Sequence, residues 1–163
     1  MTFEVPHTLR FATVLVALAT LPPTAALSAD APLSILAGTW NGSGQIRTGD
    51  GRTEKLSCRA FYTARDSGSG LGVALRCASQ SYKIELRSSI RVAAGRVSGS
   101  WEERSFNLGG TVTGSASAGA LSLLFSGGTN GSMSVNYSAS SQRVSITTSA
   151  GGGARVSLSL SKG

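Results

Sequence analysis

The feature that most constrains this chain is a period-two alternation of apolar and polar residues, which recurs from Leu36 to Leu160. The segment Tyr82–Val92, for example, places apolar side chains on one side and Lys, Glu and Arg on the other. This period is typical of strands that bury one face, and no segment in this region shows a convincing helical period. The chain is therefore predicted to be all-β.

Short clusters of glycine, serine and asparagine separate the alternating segments, as in Thr48–Gly51, Ala94–Gly95 and Gly127–Gly131. These connections suit hairpins, and none is long enough for a crossover helix. We therefore predict an antiparallel up-and-down meander of about eight to ten strands, with no helix after the N-terminal segment. Closure into a barrel would bury the apolar face and remove exposed edges, and a two-layer sandwich is the main alternative.

The two cysteines of the chain, Cys58 and Cys77, fall on the apolar side of neighbouring segments. The sequence between them includes Asp66–Gly70, which is typical of a turn. A hairpin centred there places Cys58 opposite Cys77, and Tyr62 opposite Val73. We predict a structural disulfide, worth about 3 kcal/mol in the chain-entropy model. Such a bond indicates an oxidising compartment.

The N-terminal segment resembles a signal peptide. The apolar stretch Phe11–Leu21 follows Arg10 and is too short to span a bilayer as a helix. Small residues then offer a cleavage site after Ala29. We predict a signal peptide over residues 1–29 and a single β-barrel domain over residues 30–163, located in the periplasm or secreted. An uncleaved N-terminal anchor is the alternative.

The residues available for catalysis are few. The single histidine, His7, lies in the predicted signal peptide, so residues 30–163 offer neither a Ser-His or Cys-His pair nor an imidazole metal ligand. If both cysteines are bridged, no thiolate remains. Glu102 and Glu103 are adjacent, and in a strand they point to opposite sides, which does not suit a paired-carboxylate mechanism. We predict no enzyme activity, no metal site and no cofactor.

A basic surface is predicted on the outward face of the central strands, since the formal net charge of the chain is +7. The same hairpin register places Arg59 beside Arg76, and the next hairpin places Arg76 beside Glu85. We call the candidate anion- or partner-binding residues the basic patch: Arg59, Arg76, Lys83, Arg87 and Arg91. An anionic polymer, a lipid headgroup or an acidic protein would suit such a patch, although an ordinary charged surface is the favoured interpretation. Nucleic acid is not expected, because exposed aromatic residues are not interleaved with the basic ones.

Aromatic residues share the apolar side of their segments, and most are expected to be ordinary core. The alternative is that some line a pocket inside the barrel, because barrels of about eight strands either fill their interior or hold one small ligand. The candidate pocket residues are Trp40, Tyr62, Tyr82, Trp101, Phe106 and Phe125. Inward glycines such as Gly42 and Gly44 would either leave room for a ligand or mark tight bends.

The segment Leu36–Gly42 (LAGTWNG) resembles the opening strand of the calycin group, the lipocalins and avidins. That resemblance implies a barrel whose tryptophan, here Trp40, closes one end. In lipocalins a basic residue late in the chain packs on this tryptophan. Here Arg143 and Arg155 fall on the polar side of their segments, which does not suit packing on Trp40.

These observations together predict an exported, non-enzymatic β-barrel binding module, expected to be a monomer. Its partner would be a small apolar ligand, or an envelope or extracellular protein in an inhibitor-type role. The alternative is a structural or surface component of the cell envelope, including a small outer-membrane barrel. Membrane insertion is not favoured, because the apolar sets are short and interrupted by glycine and the chain ends without an aromatic residue.

Overall fold

A computed structural model describes residues 33–149 and 152–163. These residues form ten strands and two short 3₁₀ helices, Leu33–Leu36 and Asp66–Gly68. The strands are β1 (Gly38–Arg47), β2 (Thr53–Arg65), β3 (Gly70–Ala78), β4 (Lys83–Ala93), β5 (Arg96–Glu103), β6 (Leu108–Ser117), β7 (Ala120–Gly127), β8 (Gly131–Tyr137), β9 (Ser141–Thr148) and β10 (Ala154–Lys162).

Each strand pairs antiparallel with its neighbour in the chain, and β1 pairs with β10. The result is one closed barrel. The predicted all-β meander is therefore confirmed, with a barrel rather than a sandwich and with ten strands. The two 3₁₀ helices, each about one turn long, are the only helical elements within residues 33–149 and 152–163.

The hairpin of β2 and β3 has the predicted register. Cys58 lies opposite Cys77, and the two form a disulfide. Tyr62 lies opposite Val73, and the next hairpin places Arg76 opposite Glu85. The cysteines are buried and Arg76 is exposed, so the disulfide joins the strands on the inner face while the charges lie outside.

The two ends of the barrel differ. At the closed end, the 3₁₀ helix Leu33–Leu36 packs against β2 and β3 and buries Leu33 and Leu36 completely. At the open end lie the hairpin connections of residues 48–52, 79–82, 104–107 and 128–130. The interior is therefore plugged on one side and accessible from the other.

The contact between β1 and β10 requires glycine. A Cβ atom on Gly42 would lie 2.0 Å from the carbonyl oxygen of Ser159, and one on Gly44 would lie 1.9 Å from that of Ser157. These distances are far below van der Waals contact. The sequence predicts that these glycines leave room for a ligand or mark tight bends; the structure shows a different role at both positions, a close approach of the two backbones.

Residues 1–32 lie outside the described part of the chain, and with them the predicted signal peptide and its cleavage site. The described residues include no helix that is long and apolar enough to cross a membrane.

Candidate functional site

A cavity of about 480 Å³ occupies the interior of the barrel. All ten strands contribute side chains to it, nearly all of them apolar, and Leu36 of the first 3₁₀ helix forms part of its floor. Small-molecule pockets typically measure about 300–1,000 Å³. The cavity is therefore large enough for a small ligand, and its chemistry suits an apolar one.

Five of the six candidate pocket residues line this cavity: Tyr62, Tyr82, Trp101, Phe106 and Phe125. Trp101 and Phe125 form an edge-to-face pair with centroids 5.7 Å apart. Phe106 lies in the connection after β5, at the open end, and is 56% exposed. An apolar ring is therefore largely exposed to solvent at the mouth of the cavity.

The sixth candidate, Trp40, does not line the cavity. Its side chain is fully buried at the closed end, where Nε1 donates a 2.8 Å hydrogen bond to the carbonyl oxygen of Leu36. Its ring also meets Tyr62 edge-on, with centroids 6.3 Å apart. Trp40 therefore holds the 3₁₀ helix against the barrel, which is the end-closing position that the calycin resemblance implies.

Polar groups enter the cavity near its closed end. The hydroxyl of Tyr62 donates a 2.9 Å hydrogen bond to Oε1 of Gln142. Burial raises the pKa of Tyr62 to about 12. Gln142 was not among the residues predicted from the sequence; the available signal was a polar residue on the same side of its strand as Val144 and Ile146.

Glu103 lines the cavity close to the open end and is 8% exposed. Its carboxylate accepts hydrogen bonds of 2.7 Å from the backbone N–H groups of Glu85 and Phe106. Glu102, the adjacent residue, is exposed, so the two acids do point to opposite sides. The backbone contacts of Glu103 tie the connection after β5 to β4 and thereby shape the mouth.

The basic patch lies outside the barrel on β2, β3 and β4. Arg59 donates a 2.8 Å hydrogen bond to Asn41, Arg76 lies 3.9 Å from Glu85, and Arg91 lies 2.9 Å from Asp66. The structure therefore gathers all five residues on one face but interleaves carboxylates among them. Binding of an anionic partner at this patch stays a prediction.

The closed antiparallel barrel with its plugged, apolar interior fits a calycin-like fold. No protein-family model matches the chain, and no curated protein matches it. Among solved structures, Rv2717c from M. tuberculosis has a TM-score of 0.66 at 16% identity, covering 80% of this chain and 94% of that one. The S-type phycobiliprotein lyase CPES from Guillardia theta has a TM-score of 0.55 at 12% identity, covering 80% and 89% respectively. At such identities the likeness concerns the fold alone.

Proposed function

We propose that this protein is an exported binding module that holds a small apolar ligand inside its barrel. The observation that carries the proposal is the apolar cavity of about 480 Å³, which is plugged at one end and open at the other. Removing apolar surface from water contributes roughly 25 cal/mol of favourable free energy per Å². A ligand enclosed by these walls therefore gains affinity without any charged contact. The proposal includes no catalytic step.

The outer face of the barrel supports this function over a membrane-embedded one. On β10, for example, the outward positions include Ser157, Ser159 and Ser161, and on β9 they include Arg143 and Ser145. A barrel that spans a membrane presents an apolar band to lipid instead. The alternation therefore directs apolar side chains towards the cavity and polar ones towards water.

Fluorescence titration with N-phenyl-1-naphthylamine, an apolar dye, tests the proposal. Two adjacent leucines of β7 offer a matched pair of variants: Leu123 lines the cavity, whereas Leu124 points outward and is 61% exposed. We expect the wild-type protein to bind the dye. Leu123→Trp fills part of the cavity, and the lost space should weaken binding about tenfold, which corresponds to about 1.4 kcal/mol of binding free energy.

Leu124→Trp adds the same ring to the outer face, and its affinity for the dye should stay within about twofold of wild type. Circular dichroism confirms that both variants are folded. Absence of dye binding by the wild-type protein, or equal effects of the two substitutions, would contradict an internal site.

Export is tested separately by fractionation of cells that express the full chain. The mature protein should appear outside the cytoplasm and begin at Asp30. Retention of residues 1–29 on the purified protein would instead support an N-terminal anchor.

A further inference from the structure

The side-chain amide of Gln142 is only half paired. Its Oε1 accepts the hydrogen bond from Tyr62, whereas its Nε2 has no hydrogen-bond partner. Gln142 is 3% exposed and lines the cavity. A buried donor without a partner costs about 1–3 kcal/mol. Such groups are rare in native proteins, so the unpaired amide requires an explanation.

A second unpaired group lies beside it. Tyr137 is the cross-strand partner of Gln142, and its buried hydroxyl also lacks a hydrogen-bond partner. On the other side of Gln142, the cross-strand neighbour is the apolar Leu160. Rotating the amide by 180° would leave both Oε1 and the Tyr62 O–H hydrogen without a partner, so the orientation in which Tyr62 donates to Oε1 satisfies more of these groups. The closed end of the cavity therefore presents one hydrogen-bond donor, Nε2 of Gln142.

We propose that this donor binds a neutral oxygen acceptor of the carbonyl type, carried by an otherwise apolar ligand. The inference rests on the proposed function and specifies the chemistry of its ligand. A pure hydrocarbon would leave Nε2 of Gln142 unpaired. A ligand carbonyl placed at the closed end would accept from it, while the rest of the ligand contacts the apolar walls.

The acceptor is neutral because the site has no cation to offset a negative charge. Among the described residues that line the cavity, Glu103 is the only one with a charged side chain, and it lies near the open end. Lys162 is close to the plug, but its Nζ lies over Trp40 and donates to the carbonyl oxygen of Ile35. Burying a carboxylate without a partner costs several kcal/mol, so a fatty acid is disfavoured relative to a ketone or an ester.

Displacement of N-phenyl-1-naphthylamine by three probes with the same chain length tests this inference: 2-nonanone, nonane and nonanoate at pH 8. Gln142→Leu should lower the ratio of ketone affinity to alkane affinity about fivefold, the value of one net hydrogen bond. Gln45→Leu is the matched control, since Gln45 is exposed on the outer face of β1, and it should leave the ratio unchanged. The wild-type protein should bind the ketone more tightly than nonanoate.

An unchanged ratio in Gln142→Leu, or tighter binding of nonanoate than of the ketone, would overturn the inference while the dye still reports a working cavity. Failure of the wild-type protein to bind the dye would overturn the proposed function instead. The two failures are therefore distinguishable.

A measurement on the wild-type protein covers the case in which Gln142→Leu does not fold. The chain contains only three glutamines, so ¹⁵N labelling of glutamine side chains gives three amide signals. The signal of Gln142 should shift downfield with 2-nonanone and much less with nonane, while those of Gln45 and Gln80 stay in place. Equal shifts with both probes would contradict a hydrogen bond to the carbonyl group.

Discussion

The ammonium nitrogen of Lys162 lies 5.6 Å from the centroid of the Trp40 ring. The same nitrogen donates a 3.0 Å hydrogen bond to the carbonyl oxygen of Ile35. Because Trp40 in turn bonds to Leu36, the last strand and the first strand together hold the 3₁₀ helix that plugs the barrel. Lys162 thus takes the position of the late basic residue that the lipocalin resemblance implies.

Replacing Lys162 with Met should weaken this closure. The variant keeps an apolar stem but loses the cation–π contact and the bond to Ile35, so the free energy of unfolding should fall by about 1 kcal/mol. Urea denaturation measures this change. In a double-mutant cycle with Trp40→Phe, the two effects should be non-additive; strict additivity would show that the contact carries no energy.

Removing the disulfide should reduce stability without abolishing the cavity. In Cys58→Ala/Cys77→Ala the unfolded chain regains the freedom of the closed loop, so the free energy of unfolding should fall by about 3 kcal/mol. Dye binding under conditions where the variant is folded should persist, because the remaining walls are unchanged. Reducing agent should reproduce the loss in the wild-type protein and have no effect on the double variant.

Alkaline pH should destabilise the fold through Tyr62. Its pKa is about 12 in the folded protein against an ordinary value of 10.0, so the folded state retains a proton that the unfolded chain loses. This contribution to stability is complete below pH 10 and is lost as the pH rises towards 12. At pH 11.5 the loss is about 2 kcal/mol.

Urea denaturation at pH 9 and pH 11.5 measures this loss. Tyr62→Phe has no titratable group at this position. Between pH 9 and pH 11.5 its free energy of unfolding should therefore fall by about 2 kcal/mol less than that of the wild-type protein. Phe106→Leu, which changes an aromatic ring at the mouth that carries no titratable group, serves as the control and should behave like the wild type. An equal pH dependence in Tyr62→Phe and wild type would contradict the assignment.

The close approach of β1 and β10 predicts a severe effect of a single added methyl group. In Gly44→Ala the new Cβ would lie 1.9 Å from the carbonyl oxygen of Ser157, so the strands must separate. We expect a loss of about 1–3 kcal/mol, in the range of overpacking. The matched control is Gly109→Ala, an exposed strand position whose Cβ would be 3.1 Å from the nearest atom. Thermal denaturation should show a much smaller change there.

The elements that the sequence predicted correctly depend on local patterns. Alternation in each segment defines which side chains share a face, and turn residues such as Asp66–Gly70 define where the hairpins reverse. Because the register of a hairpin follows from its turn, the pairing of Cys58 with Cys77 and of Arg76 with Glu85 follows from the order of residues alone.

The contacts that could not be predicted from the sequence join distant parts of the chain. The Gln142 side chain meets Tyr62 across several strands, and Lys162 meets Trp40 only because β10 closes on β1. Trp40 and Trp101 both fall on the apolar side of their alternating segments, yet Trp40 lies against the plug and Trp101 lies in the cavity wall. The alternation of apolar and polar residues alone cannot distinguish these two roles.

The sequence by itself determined an antiparallel β meander, its inner and outer faces and its disulfide, because strand period and hairpin register are local properties. Only the tertiary structure decided that the strands close into a ten-stranded barrel, that one end is plugged, and that the interior retains a cavity with the amide of Gln142 at its base. Closure and interior volume depend on how all ten strands curve together, and no single segment encodes that curvature.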